Sequence, residues 1–463
     1  MNRRTFLNTA GITTAGALLV NPATLMAGDI YKKRKVALIG TGIRGITMWG
    51  KNLVDNFAEN LEFVALLDNN AGRLNYAKQF MGVNCPVFTD FEKMISTAKP
   101  DTIIVNTIDS NHHEYIIAGL KKGLDVITEK PMTTDEDKCK AILDAERETG
   151  KKIIVGFNYR YGTHFTKIKE LLSEKRIGEI TSIDFHWYLN IHHGADYFRR
   201  WHAYKDKSGT LLVHKSTHHF DLINWFLDSD PDEVFAHGSL DFYGKNNSFR
   251  AEKCRTCTHK CDYRFDITKN ETFMNLYVAN ENIDGYIRDA CVWRNDIDIY
   301  DKMAVQIKYA NNVNLSYSLT TYSPYEGWRI AINGTQGRID AWEGIPWEEQ
   351  EDVNQAELHV KEMDQSTKVE KYDSIMISLN NGTSELIKVP RANGGHGGGD
   401  KRMLEKMFAK PLSDDPLRHS AGSRDGSFSI LCGIAARKSI EEKRMVKIAS
   451  ITSLVPSAKR PIV

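Results

Sequence analysis

Residues 36–45 read VALIGTGIRG, a short apolar run that breaks into glycines spaced G-x-G-x-x-G. Few patterns constrain a fold as tightly. A buried strand that turns into a helix around three side-chain-free positions is the layout of a dinucleotide cradle. Gly40 permits the tight turn, Gly42 lets the backbone approach a pyrophosphate, and Gly45 allows the helix to pack close to its strand. The glycines alone are weak evidence, and the surroundings strengthen them. Further apolar runs at 61–68, 101–107, 125–130 and 152–158 alternate with helix-period stretches such as HEYIIAGLKKG (113–123) and DEDKCKAILDAERETG (135–150), so a parallel, doubly wound sheet is expected. The second run ends in Asp68, where a carboxylate accepts hydrogen bonds from ribose hydroxyls and repels a 2′-phosphate, favouring NAD over NADP.

Beyond about residue 160 the pattern changes. Segments 180–190, 233–244, 301–322 and 328–343 alternate apolar and polar residues between Gly or Asn-Asn turns, which predicts a broad, mainly antiparallel sheet with one face open to a ligand or a second copy of the chain. The polar stretch 345–385 reads as an exposed excursion or hairpin, and 218–227, 400–408 and 424–444 carry helical period. The expected organisation is α/β: a Rossmann domain over 31–158 and a substrate and oligomerisation domain of α+β type over 159–463. The first 30 residues, with Arg3-Arg4, Thr5-Phe6-Leu7 and a mildly apolar, small-residue run, have the layout of a twin-arginine export signal, so a periplasmic protein is expected. No other run approaches the length of a membrane span. Lys plus Arg (61) balance Asp plus Glu (60), so no global field favours nucleic acid, and the expected partner is a small molecule.

Two further runs complete a family resemblance. VALIGTGIRG with Asp68, NTIDSNHHEY with His112, and DVITEKPMTTDEDKCKAILDAERETGKKIIVGFNYRY together resemble the Gfo/Idh/MocA family of nicotinamide-dependent sugar and polyol oxidoreductases. The most specific marker is Glu129-Lys130-Pro131. The resemblance implies that Lys130 stands between nicotinamide and the substrate hydroxyl, with the proline turn often cis. Independently, Lys130 ends a strand of an open parallel sheet, where ligands of such sheets gather. The candidate cofactor-binding set is Gly40, Gly42, Ile43, Arg44, Gly45, Asp68, Asn69, Arg73, Asn106, His112, Glu129, Lys130 and Arg160.

In SGTLLVHKSTHHFDLINW (208–225) the family commonly carries D-x-x-x-H. Registered on Asp221, the motif places His218 at the family's base and His214 where its acid would be. That departure implies a different proton relay, or participation of Lys215. Candidate catalytic residues are therefore Lys130, His218, His214 and Lys215; the two histidines, four apart, could alternatively hold a metal. NIHHGADYFRRW (190–201), with His192, His193, Asp196, Tyr197, Arg199, Arg200 and Trp201, suits sugar hydroxyls as well as it suits a solvated loop, and His396 in a glycine-rich loop reads equally as lid or surface. Cys254, Cys257 and Cys261 form C-x2-C-x3-C and Cys291 follows, a set for structural zinc or an iron–sulfur cluster, with disulfides as the alternative. Three functions stay open: an NAD-dependent dehydrogenase of a sugar or glycoside with tightly held, self-recycled cofactor, an NAD-dependent glycoside hydrolase acting by transient oxidation, and a sugar-binding protein whose catalysis has decayed.

Overall fold

The computed structural model describes residues 32–344, 372–392 and 397–461, so the first residues, read above as an export signal, and His396 lie outside the described residues. The chain builds two sheets. The first comprises β1 (Arg34–Ile39), β2 (Leu61–Leu67), β3 (Val87–Phe88), β4 (Thr102–Val105), β5 (Asp125–Thr128) and β6 (Ile153–Val155), all parallel, in the order β3-β2-β1-β4-β5-β6. Its strands are nearly uniformly apolar because both faces are covered by helices. The connection after β1 begins with a π-wound stretch, Gly45–Lys51, and continues as the α-helix Asn52–Phe57.

The second sheet comprises β7 (Ile180–Asn190), β8 (Pro231–Ser239), β9 (Lys302–Tyr309), β10 (Asn314–Ser323), β11 (Gly327–Gly334), β12 (Gly337–Glu343), β13 (Tyr372–Leu379), β14 (Ser384–Pro390) and β15 (Val446–Lys447). Their order is β14-β13-β12-β11-β7-β10-β9-β8-β15, and every pairing is antiparallel except β7 with β10. Burial alternates along β7, β9 and β10. One face, with Phe185, Trp187, Leu315 and Tyr317, packs under helices Ser216–Leu227 and Ser423–Glu442. The other, with Lys302, Gln306 and Ser316, faces outward. The polar stretch after β12 resolves, over its described part, into the edge hairpin β13–β14.

Between β8 and β9 the chain makes a long excursion, residues 240–301, that carries all four cysteines of the expected metal set. It does not stay with its own sheet. Asn280 accepts a hydrogen bond through its carbonyl from Asn70 Nδ2 (2.9 Å), and Asp284 pairs with Arg73 (2.5 Å), so the excursion reaches back onto the first domain.

The two sheets are also tied by Arg160. It was expected beside the cofactor, but its side chain is only 2% exposed and turns away into a buried ion-pair network with Asp221 (2.7 and 2.6 Å) and Asp425 (2.9 Å). A guanidinium between two helix-borne carboxylates explains the departure: it pairs the fully buried Asp221 and the part-buried Asp425. Arg160→Met should lower the unfolding free energy by about 3–5 kcal/mol, because the buried Asp221 loses its counter-charge while Asp425 keeps Arg460. A denaturant midpoint shifted by less than about 1 kcal/mol in equivalent stability would contradict that role.

Candidate active site

A cavity of about 730 Å³ runs from the glycine turn to helix Ser216–Leu227. At one end Gly40 holds φ +92°, and a Cβ there would stand 2.3 Å from the carbonyl oxygen of Asn106, so only glycine fits. Gly42, Ile43, Arg44, Asp68, Asn69, Arg73 and Asn106 line this end with Gly40. Gly45 lies behind them, where a Cβ would meet the Gly40 carbonyl at 2.3 Å. Asp68 accepts from the backbone N–H (2.8 Å) and hydroxyl (2.9 Å) of Thr41, and from Arg73 (3.0 Å).

The excursion completes this end. The Ile43 N–H donates to the hydroxyl oxygen of Tyr277 (2.9 Å), and Asp284 reaches Arg73 beside Asp68. Neither residue was found from sequence, since each acts at more than 200 positions' remove through a segment with no dinucleotide signature.

The middle of the cavity is the carboxyl edge of β5. The Lys130–Pro131 peptide is cis. Glu129 is not the partner of the Lys130 ammonium: its Oε1 accepts from Arg44 (2.8 Å) and Trp49 Nε1 (2.8 Å), and its Oε2 from the Lys130 backbone N–H (3.1 Å). Burial works to raise the Glu129 pKa, but Arg44 and Lys130 outweigh it and hold the carboxyl below the ordinary range. Arg44 in turn grips Asp400 with two hydrogen bonds (3.0 and 2.9 Å). His112 supports the turn rather than reaching forward, its ring nitrogens 2.8 Å from Pro131 O and 3.1 Å from Thr107 O.

Freed from Glu129, Lys130 Nζ faces the second domain. It lies 3.2 Å from the carbonyl oxygen of His214 and 3.5 Å from His214 Nε2, while His214 Nδ1 sits 2.5 Å from Asp109 Oδ2. The carboxylate that the sequence motif lacks at position 214 is thus supplied from the segment following β4. Burial raises the Asp109 pKa and lowers those of His214 and Lys130, while the charges of Asp109 and Lys130 pull each other's pKa the opposite way. Asp109 was within NTIDSNHHEY but carried no spacing that tied it to His214.

Lys215, itself in helical conformation, separates the short helix Leu211–His214 from helix Ser216–Leu227, and His218 stacks on Tyr159 with centroids 4.1 Å apart. Both histidines line the cavity. Lys215 lines it as well: its Nζ donates to the Tyr159 hydroxyl (2.9 Å) and stands 5.3 and 5.1 Å from the ring centres of Tyr159 and Trp187. Burial lowers its pKa to about 7, against a smaller raising effect of Glu326. Of the run 190–201, His193, Asp196, Tyr197, Arg199, Arg200 and Trp201 line the far wall; His192 does not.

The cysteines end differently from expectation. Cys254, Cys257, Cys261 and Cys291 surround one small pocket with His259 and Trp293, all as free thiols. Tetrahedral zinc, with Zn–S bonds of about 2.3 Å, brings its sulfurs to within about 4 Å of one another. Among the described residues the set of three His, Cys, Asp or Glu ligand atoms lying within 4.8 Å of one another is instead His164, Glu343 and Asp373. The four thiols are not among the three-ligand sets within that distance, and Trp293 Nε1 is directed at Cys261 Sγ (3.5 Å).

Comparisons with known proteins agree with this geometry. Residues 34–157 match the family model described as an oxidoreductase family with an NAD-binding Rossmann fold, and residues 169–448 match the model for the C-terminal alpha/beta domain of that oxidoreductase family. A Bacillus subtilis protein, YteT, whose assignment as an oxidoreductase is itself provisional, is 35% identical over 446 residues, covering 89% of this chain and 97% of its own. An inositol 2-dehydrogenase of Klebsiella pneumoniae is 26% identical over 193 residues, 41% of this chain and 54% of its own. Among solved structures, a levoglucosan dehydrogenase with NADH and levoglucosan superposes with TM-score 0.62 at 17% identity, over 90% of this chain and all of that one.

The Lys215 geometry yields a pH signature. Its pKa of about 7 in the folded chain lies below the 10.5 of free lysine, so between those values the unfolded chain binds the extra proton. Stability conferred on the protein relative to Lys215→Met should therefore rise with pH from about 7 to 10, by up to about 1.4 kcal/mol per pH unit, and be flat below 7. Parallel denaturant titrations of the two proteins across that range check the sign; a difference that stays flat from 7 to 10 would mean that Lys215 is buried as a paired cation.

Proposed function

Because the chain belongs to the Gfo/Idh/MocA oxidoreductase family across both of its domains, we propose that it is an NAD-dependent oxidoreductase acting on a hydroxyl of a sugar or glycoside. The observation that carries the proposal is the Lys130–His214–Asp109 relay at the edge of β5, opposite the glycine turn in one cavity. NAD, when bound, supplies the hydride acceptor. Gly40, Gly42 and Asp68 hold it at one end, and Asp68 favours it over its 2′-phosphorylated form. Lys130 Nζ, its pKa lowered by burial, orients the reacting hydroxyl and takes its proton as hydride departs from the same carbon. His214 Nε2 is the next acceptor along the line, and Asp109 Oδ2 fixes the imidazole and balances the charge that forms.

The cofactor is held tightly and recycled in place in this reading. Support comes from the excursion, whose Tyr277 and Asp284 close over the glycine turn and Arg73, and from the twin-arginine layout of the first residues, since free NAD is scarce outside the cytoplasm. One observation favours a second reading, hydrolysis of a glycoside through transient oxidation and elimination: Lys215 with Tyr159 is a second proton-bearing pair on the same cavity wall.

The test is the near-ultraviolet absorbance of protein taken through gel filtration, followed as glucosides and galactosides are added and free aglycone is assayed. The dehydrogenase gives a reduced-nicotinamide band with no aglycone. Aglycone without lasting reduction moves the assignment to the hydrolase, and loss of all nicotinamide on the column ends the recycling idea. Lys130→Met should cut turnover by about 10²–10⁴-fold while sugar still binds; an unchanged rate would remove Lys130 from the chemistry.

A further inference from the structure

The far wall of the cavity carries more positive charge than the protein itself balances. Asp196, on helix Ile191–Arg199, is 4% exposed and receives two guanidiniums: Arg288 through Nη1 (2.7 Å) and Nη2 (3.2 Å), and Arg200 through Nη2 (2.9 Å). Arg199, 5% exposed and on the same cavity wall, has no carboxylate partner among the described residues and gives an N–H to the carbonyl of Tyr263. Three arginines thus share one carboxylate. The Nε atoms of Arg199 and Arg288 are buried with no hydrogen-bond partner.

The other acids on the cavity wall do not offset this. Asp109 is committed to His214, Asp284 to Arg73 and Asp296 to Arg294, while Glu252 is exposed at the rim. Uncompensated buried cations are costly, and the cost falls when a ligand brings the missing negative charge. Guanidinium forks match planar, bidentate oxyanions.

Resting on the proposed sugar oxidoreductase reading, we infer that the substrate is an acidic sugar, a hexuronic acid or a glycoside of one, whose carboxylate is received by Arg200 with Arg199 and Arg288 behind it. Arg200 is the most exposed of the three, with 19% of its side chain accessible. It lines the same cavity as Lys130, Asp109 and His214, so a ligand held there faces both the arginines and the relay. Arg200 and Arg288 share the cavity with Tyr277 of the cofactor end, so the pyrophosphate of the dinucleotide is the competing source of an oxyanion. The glycine turn already provides for that group, which favours the substrate.

The experiment is calorimetric binding of glucuronic and galacturonic acids, and of neutral glucose and galactose, to the NAD-loaded full chain, with NAD affinity measured separately. The uronates should bind at least 10-fold more tightly than their neutral counterparts. In Arg200→Gln, and in Arg199→Gln as a second variant, that preference should collapse toward unity, with NAD affinity changed far less. Equal binding of acidic and neutral sugars by the wild type would overturn the inference, and so would variants that lose NAD rather than uronate. Because binding is read instead of turnover, a retained uronate preference without any oxidation would sink the oxidoreductase reading and leave the acidic ligand standing.

Discussion

The 2.5 Å contact between Asp109 and His214 is the interaction on which the site depends. Asp109 follows a strand of the parallel sheet, His214 ends a short helix of the second domain, and Lys130 stands within reach of the imidazole. A buried aspartate alone would be expensive, as would a buried lysine alone. Brought together around one imidazole they share protons and offset one another's desolvation. The arrangement needs the two domains locked in one relation, which the Arg160 network with Asp221 and Asp425 and the Arg44 fork on Asp400 provide.

How much of this the sequence disclosed varied with the range of the forces involved. Strand β7 was predicted to its exact residues, and β1, β2 and β4–β6 to within about three, because alternation and apolar runs are local consequences of burial. The two-residue strand Val87–Phe88 was missed, being too short to carry a period, and so were the parallel pairing of β7 with β10 and the π-wound start of the helix after Gly45. No alternation pattern records which neighbour a strand chooses.

The candidate site divides in the same way. Lys130 was legible because Pro131 and the strand end fix its position locally. His214 was legible as an anomaly, a histidine where an acid was wanted, yet its partner was not, since Asp109 comes from 105 residues earlier. Arg160 was misplaced for the converse reason: its position beside the fifth apolar run suggested the cofactor, while its destination was set by two carboxylates on distant helices. The cysteine spacing suggested a metal, but spacing specifies only how near thiols can come, not how near the fold brings them.

The excursion over 240–301 has one more consequence. It leaves β8 and returns at β9, two strands that pair with each other antiparallel, so as far as the sheet is concerned it is a hairpin loop of unusual size. Closing a longer loop costs only slowly more with length, and the register of Ala236 opposite Val305 does not depend on what lies between. Yet that loop supplies Tyr277 and Asp284 at the cofactor end and Arg288 at the far wall. Part of the pocket wall is therefore written in a cassette detachable from the scaffold, and variation there can reshape the pocket while both sheets, and the relay between them, keep their form.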